Sequence, residues 1–210
     1  MSVAFRRCSF LLMVACATAL PVLSIAAEDA GAAAERKAAG AVFTAYNKML
    51  ESHFAVDVSS TDDQGAQSKA TAEYESLSRI HVKTDRVEII ATPEGTWVHA
   101  DEQGWQQPPS EMAGMVKQFV PKSAAELQAS TKNVKDEGPT TWEGKPAHLY
   151  SYDVDTMVMG ANVKSHNKVT IDGAGRLVRS ESDGEALGRK SHSVQLIRYD
   201  DTIRVMPPQG

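Results

Sequence analysis

Residues 79–109 decide the fold, and they read RIHVKTDRVEIIATPEGTWVHADEQGWQQPP. Apolar and polar residues alternate along three runs in this stretch, and such alternation predicts half-buried β-strands. The runs are Arg79–Lys83, Arg86–Ala91 and the run through Trp97 and His99. Turn-forming residues separate them, and Asp101–Gly104 leads into a partner strand at Trp105. The stretch therefore predicts an antiparallel meander, which ends at Pro108-Pro109 because proline has no N–H to donate to a sheet.

The same alternation continues on both sides of this stretch and predicts about ten strands in all. Further strands are expected from Phe54, at 67–76, around Trp142, and at 147–154, 162–172, 176–181 and 191–199. Residues 202–206 are predicted to complete the sheet, and Pro207-Pro208 to end it. No repeat period is present, so a solenoid is excluded.

Two segments are predicted to be helical. Ala30 to Leu50 is alanine-rich, free of proline and apolar at three- and four-residue spacings. After Ser110, a fair N-cap, a stripe through Met112, Met115 and Phe119 predicts a helical insertion between strands, with a further turn or two at Ser123–Ala129. Helices from only two segments cover only one face of a long sheet.

The N-terminus has the layout of a secretory signal peptide. A short basic start with Arg6 and Arg7 precedes an apolar run, and Ser24-Ile25-Ala26 offers the small residues that a signal peptidase reads. We therefore expect residues 1–26 to be removed and residues 27–210 to form one periplasmic domain. The alternative interpretation is a loose lipobox that leaves Cys16 lipidated and the chain anchored to a membrane.

Composition excludes several function classes. Without Arg6 and Arg7 the chain has 20 basic and 27 acidic residues, a net charge of −7, so nucleic acid is not an expected partner. Both cysteines, Cys8 and Cys16, lie in the predicted signal, so no disulfide is expected. The six histidines are not spaced as metal ligands are. The short stretches that match catalytic motifs do not lie in the secondary structure that those motifs require. The sequence thus predicts no catalytic residue, no metal and no cofactor.

The distribution of aromatic and methionine side chains suggests a binding space between sheet and helices. Unbranched methionines make such a lining adaptable to ligands of variable shape. The candidate lining residues are Trp97, Trp105, Met112, Met115, Phe119, Trp142, Tyr150 and Tyr152. The alternative is that these residues form an ordinary core, with Trp97 and Trp105 joining two strands by a cross-strand contact.

The order of elements resembles a known superfamily over essentially the whole chain after residue 26. The features that carry the resemblance are an exported helix ending in VFTAYNKML (42–50), the meander quoted above, a helical insertion, VTIDGAGRLVRSES (169–182) and YDDTIRVMPP (199–208). Together they are similar to the periplasmic lipoprotein carriers LolA and LolB and to lipid-binding lipoproteins of the LppX/LprG type.

This resemblance implies an α+β fold in which a strongly curved antiparallel sheet forms an incomplete barrel and helices plug its concave face. It implies lipid or lipoprotein acyl chains as ligands, partner proteins at the inner or outer membrane, and a non-enzymatic carrier. A domain of this shape also implies a second role, as an envelope sensor or protein-interaction module. In the carriers an arginine ties the helices to the sheet, and Arg79 and Arg86 are the candidates here.

Overall fold

The computed structural model describes residues 22–100, 104–108, 119–158 and 161–208. Two helices and eleven strands make up this part of the chain. The helices are α1 (Val22–Leu50) and α2 (Ala124–Ser130). The strands are β1 (Phe54–Asp62), β2 (Gln67–Ser76), β3 (Arg79–Thr84), β4 (Val87–Thr92), β5 (Gly95–Ala100), β6 (Trp105–Gln106), β7 (Thr131–Trp142), β8 (Lys145–Val158), β9 (Ala161–Asp172), β10 (Leu177–Ala186) and β11 (Arg189–Tyr199).

All eleven strands belong to one antiparallel sheet in the order β6-β5-β4-β3-β2-β1-β11-β10-β9-β8-β7. Consecutive strands are neighbours and are joined by short connections, except β6 and β7, which lie at opposite edges of the sheet. β1 also pairs with β11 from Phe54 opposite Tyr199 to Asp62 opposite Ser191, which places the first and last strands side by side in the middle. The sheet stays open at β6 and β7. This arrangement confirms the predicted α+β fold with an incomplete barrel.

The sheet has two faces that differ in what covers them. We call the face covered by α1 the inner face and the opposite one the outer face. Because side chains alternate along a strand, Phe54 and Val56 of β1 point to the inner face and Ala55 to the outer face. Residues paired across strands share a face, so the strand register assigns the rest of the sheet.

The first helix and several strands are longer than the sequence pattern indicated. α1 begins at Val22, eight residues before the predicted start at Ala30, so the predicted cleavage point after Ala26 lies within its first turns. β7 begins at Thr131 and runs through Gly138-Pro139, whereas the sequence pattern indicated a strand only around Trp142. An edge strand tolerates proline because one row of its backbone groups has no partner strand, and β7 has register shifts at two places.

The predicted final strand at 202–206 is wrong. Both neighbours of β1 and of β11 are already strands, so the chain after Tyr199 finds no free edge in the middle of the sheet. Asp200 accepts hydrogen bonds from the backbone N–H and the hydroxyl of Thr202, and the chain turns there. The residues that follow pack on the outer face as irregular chain, with Ile203 and Val205 buried.

The predicted signal segment lies mostly outside the described residues, and cleavage and export remain predictions. Among the described helices, none is long and apolar enough to cross a membrane.

Candidate functional site

The inner face carries the main hydrophobic core of the described residues. On β1 and β2, the rings of Phe54 and Tyr74 stack with centroids 4.4 Å apart. Ile80 and Val82 of β3 continue this surface, and both are 2% exposed. On the other half of the sheet the core includes Tyr152, Val169, Ile171, Leu177 and Ile197. The inner face is thus apolar across nearly its whole width.

α1 is the tight part of the cover on this face. Ala38, Val42, Ala45 and Met49 are buried against the sheet, and the small alanines let the helix backbone approach closely. Two polar contacts also hold α1 in place, one with β7 and one with the turn between β9 and β10. Glu35 accepts a hydrogen bond from the backbone N–H of Val134, and the ammonium of Lys48 donates to the carbonyl of Ala174.

The second part of the cover is residues 119–130, which we call the covering segment. Phe119 and Val120 pack against the inner-face core. The hydroxyl of Tyr74 donates to the carbonyl of Phe119 at 2.9 Å, and the hydroxyl of Tyr46 donates to the carbonyl of Lys122 at 2.8 Å. Lys122 in turn donates to the Thr156 hydroxyl on β8. The covering segment therefore spans from β2 to β8 across the inner face.

α2 closes the covering segment and is capped by local hydrogen bonds. Ser123 caps the helix by accepting from the Glu126 N–H, and the Glu126 carboxylate accepts from the backbone N–H and the hydroxyl of Ser123. These reciprocal bonds form a capping box. None of the α2 side chains is buried. The helix is thus stabilised by its own caps and adds little to the core.

Burial keeps the tyrosines of this face protonated. It raises the pKa of both Tyr74 and Tyr152 to about 12. Burial also raises the pKa of Tyr46, and the neighbouring Tyr152 and Tyr74 raise it further. At neutral pH all three hydroxyls are therefore neutral donors, and two of them hold the covering segment.

Three of the predicted lining residues lie on the inner face. Tyr152 is buried in its core, and Tyr150 and Phe119 are half-buried against it. Met112 and Met115 lie outside the described residues. Phe119, Tyr150 and Tyr152 therefore lie on the face that the helices cover, and a ligand-binding role for them stays a prediction.

The predicted placement of Trp97 and Trp105 between sheet and helices is wrong. The register runs Ala55, Glu73, His81, Ile90 and Trp97 across five strands, all on the outer face. Trp105 lies opposite His99 on the same face, with ring centroids 5.4 Å apart. Both tryptophans pack on a second, smaller core with Ala55, Ile90, Ile203 and Val205. They therefore join β5 and β6 to residues 200–208, which we call the C-terminal segment.

The C-terminal segment is fastened to this second core by two side chains. Glu75 accepts a hydrogen bond from the Val205 N–H at 2.8 Å, and Arg79 donates to the Val205 carbonyl at 3.1 Å. Arg79 also forms an ion pair with Glu94. Arg79 therefore ties the C-terminal segment to the outer face, not a helix to the inner face. Arg86, the other candidate, is exposed.

Trp142 also lies on the outer side. It pairs with Lys145 at the end of the β7–β8 hairpin and lines an open cavity of about 840 Å³. Asp57 and Arg198, which form an ion pair, lie in the same cavity. All three tryptophans are thus absent from the inner-face core.

Four of the six histidines, His81, His148, His166 and His192, pair with carboxylates across strands. His81 bonds to Glu73 and Glu88, and His166 bonds to Asp153. No group of three metal-ligating side chains occurs among the described residues. His99 packs on Trp105. It lies on β5, and β4 separates it from His81 on β3, so these two histidines are not neighbours in the sheet.

Sequence reasoning missed Tyr74 and treated Tyr46 only as part of a helix stripe. The signal for Tyr74 was its period-two spacing from Ala72 within β2, which places both on one face. No sequence pattern indicated that the two hydroxyls bind one chain segment.

Comparison with known proteins supports the fold. No family model and no curated protein matches the sequence. LprF of Mycobacterium bovis is similar over 83% of this chain and 98% of its own, with a TM-score of 0.55 and 12% identity. The Mycobacterium tuberculosis lipoprotein LppX is similar over 82% of this chain and 100% of its own, with a TM-score of 0.51 and 10% identity. These likenesses confirm the LolA/LppX-like fold that the resemblance predicts.

Proposed function

We propose that the protein is a periplasmic, non-enzymatic carrier that shelters acyl chains of a lipid or lipoprotein between the inner face and its helical cover. The observation that carries the proposal is the uneven cover. α1 buries several side chains in the apolar face, whereas the covering segment is held by three side-chain hydrogen bonds and a helix with none buried.

An uneven cover suits a carrier for an energetic reason. Displacing the covering segment breaks few contacts, and each methylene group that then leaves water gains about 0.8 kcal/mol. A long acyl chain therefore repays the cost of opening and supplies micromolar affinity without polar recognition. Partner proteins at the inner or outer membrane would deliver and accept the lipid.

The test places one bulky residue on each face of the sheet. Val58→Trp obstructs the inner face, where Val58 packs against the core. Val194→Trp is the matched control, because Val194 pairs with Ser59 and lies on the outer face. Binding of methyl oleate to delipidated protein is measured by native mass spectrometry, with melting temperatures to verify folding.

We expect the inner-face variant to lose at least about tenfold in affinity and the outer-face control to bind as the parent protein does. Equal binding by both folded variants would contradict the proposal. Trp97→Ala together with Trp105→Ala should lower the melting temperature and leave binding unchanged, because both residues lie in the second core.

A specific observation favours a second candidate, a sensor or protein-interaction module of the same fold. The inner-face core is closely filled, since Phe54 and Val169 are both 1% exposed. Three cavities lined by described residues are open to solvent, and they reach buried residues of this core only at Ile197 and Val134. Protein purified from its own host distinguishes the two: co-purified lipid in native mass spectra supports the carrier, and repeated absence of added mass supports the module.

A further inference from the structure

The inner face changes character along the strands. Where β1 begins, its rows are apolar, and Val56 lies opposite Ala72 and Ile197. Four residues further along β1, a polar row crosses the sheet. Its residues pair from one strand to the next across four strands, β1, β11, β10 and β9. They are Ser60, Ser193, Ser182 and Asn167. The row ends next to Tyr152, the buried tyrosine of the core.

The three serines of this polar row are available to a ligand. Ser60, Ser182 and Ser193 are half-buried, and within the described residues no hydrogen bond joins their hydroxyls to another side chain. Asn167 is buried, and its amide nitrogen donates to the Ser165 hydroxyl at 2.9 Å. Such hydroxyls act as donors and as acceptors.

The same strands carry their charges on the other face. Over residues 163–171, 179–186 and 190–198, every ionisable Lys, Arg, His, Asp or Glu side chain occupies an outer-face position of the register. Two of these residues form cross-strand pairs with carboxylates, His166 with Asp153 and His192 with Asp183, each at 2.8 Å. The polar row on the inner face therefore offers hydrogen bonds without charge.

The nearest charged residue on β1 is already engaged. The Asp62 carboxylate accepts hydrogen bonds from the backbone N–H groups of Gln64 and Ala66 in the β1–β2 turn. Arg189 pairs with Asp62 and Asp63 at the same turn. Neither charge lies within the row.

We infer that the polar row receives the uncharged, hydroxyl-bearing headgroup of an amphiphile whose acyl chain lies on the apolar part of the inner face. The inference rests on the proposed function and gives it a ligand class, of which a monoacylglycerol is the simplest member. A neutral hydroxyl exchanges its hydrogen bonds with water for bonds to the serines at little cost. A phosphate would lose hydration, and the described residues of the row itself offer it no cation.

The experiment compares three ligands that share one oleoyl chain. Monooleoylglycerol has the neutral headgroup, oleoyl lysophosphatidylglycerol has an anionic one, and methyl oleate has no hydroxyl. Dissociation constants for delipidated protein are measured by native mass spectrometry. We expect monooleoylglycerol to bind about tenfold more tightly than each of the other two ligands.

Two neighbouring substitutions test the row itself. Ser182→Lys introduces a cation on the inner face, and Asp183→Lys introduces the same cation one residue further, on the outer face. Ser182→Lys should reverse the preference between the neutral and the anionic ligand, and Asp183→Lys should not. Ser182→Ala with Ser193→Ala should weaken monooleoylglycerol binding about tenfold and leave methyl oleate unchanged.

The outcomes separate this inference from the proposed function. If methyl oleate binds but monooleoylglycerol gains nothing over it, or if both lysine variants behave alike, the headgroup inference is overturned and the carrier stands. If none of the three ligands binds, the carrier proposal itself fails. A preference of the parent protein for the anionic ligand also overturns the inference.

Discussion

α1 and the covering segment lie over the same inner face, but they are held there by different interactions. α1 contributes Ala38, Val42, Ala45 and Met49 to the core. The covering segment contributes only the half-buried Phe119 and Val120 and depends on hydrogen bonds to two of its backbone carbonyls and on the caps of α2. The difference teaches that one part of the cover is needed for folding, while the other opens at a small cost in free energy.

Alkaline pH should give the largest effect, because it acts on both parts of the cover. Burial raises the pKa of Tyr74 and Tyr152 to about 12, against an unfolded value of 10.0. A raised folded pKa contributes stability that is complete below the unfolded pKa and is lost as pH rises through the folded one. We expect about 3 kcal/mol to be lost per tyrosine between pH ~10 and ~12.

The measurement is urea denaturation at several pH values, followed together with tyrosinate absorbance. Ionisation of these tyrosines should coincide with unfolding. Tyrosinate absorbance that rises fully near the unfolded pKa while the protein remains folded would contradict the assignment.

Truncation of one apolar side chain in each part of the cover tests the difference directly. Met49→Ala on α1 should lower the free energy of unfolding by about 3 kcal/mol, because Met49 is 6% exposed and leaves a cavity. Leu127→Ala on α2 should cost less than about 1 kcal/mol, because no α2 side chain is buried. If urea denaturation shows that both variants lose the same free energy of unfolding, the distinction between α1 and the covering segment is wrong.

Removal of the two tyrosine hydroxyls should loosen the covering segment selectively. Tyr46→Phe with Tyr74→Phe leaves the carbonyls of Phe119 and Lys122 without these donors, at a cost of about 2 kcal/mol. Backbone hydrogen exchange in residues 119–130 should accelerate while exchange in β9–β11 stays slow.

The matched control for this pair is Tyr199→Phe. Its hydroxyl also donates to a backbone carbonyl, that of Leu177 at 2.9 Å, but away from the covering segment. Tyr199→Phe should lower stability without accelerating exchange in residues 119–130. The same acceleration in both variants would mean that the effect is global.

Loss of the α2 cap should have the smallest effect. Ser123→Ala removes the hydroxyl that accepts from the Glu126 N–H and should cost about 1 kcal/mol or less. Because α2 lies at the surface, we expect faster proteolysis near residues 123–130 with little change in melting temperature. A large fall in melting temperature would show that α2 supports the core.

The hairpins could be predicted from local patterns, whereas the final strand could not. Alternation of apolar and polar residues reports which side chains share a face, and this sufficed for β1 to β5 and for β8 to β11. Ile203 and Val205 show the same alternation, yet they lie in irregular chain on the second core. Their burial comes from packing against the outer face, and no free strand edge remained for pairing.

The tryptophans show a second limit of sequence patterns. Period-two spacing places Trp97 and His99 on one face, but it contains no information on which face the helices cover. Only the docking of α1 and the long-range pairing of β1 with β11 decide this, and they place Trp97 on the outer face. Of the predicted lining residues, Phe119, Tyr150 and Tyr152 lie on the inner face and the tryptophans do not. A ligand-binding role of the inner face stays a prediction.

The sequence by itself determined most of the strands, the α1 stripe and the turns, because these depend on residues close together in the chain. Tertiary structure alone decided which side of the sheet became the inner face and which carbonyls Tyr46 and Tyr74 bind. Those choices join residues 45 to 76 positions apart. They depend on the complete sheet, whose register brings distant side chains to one face.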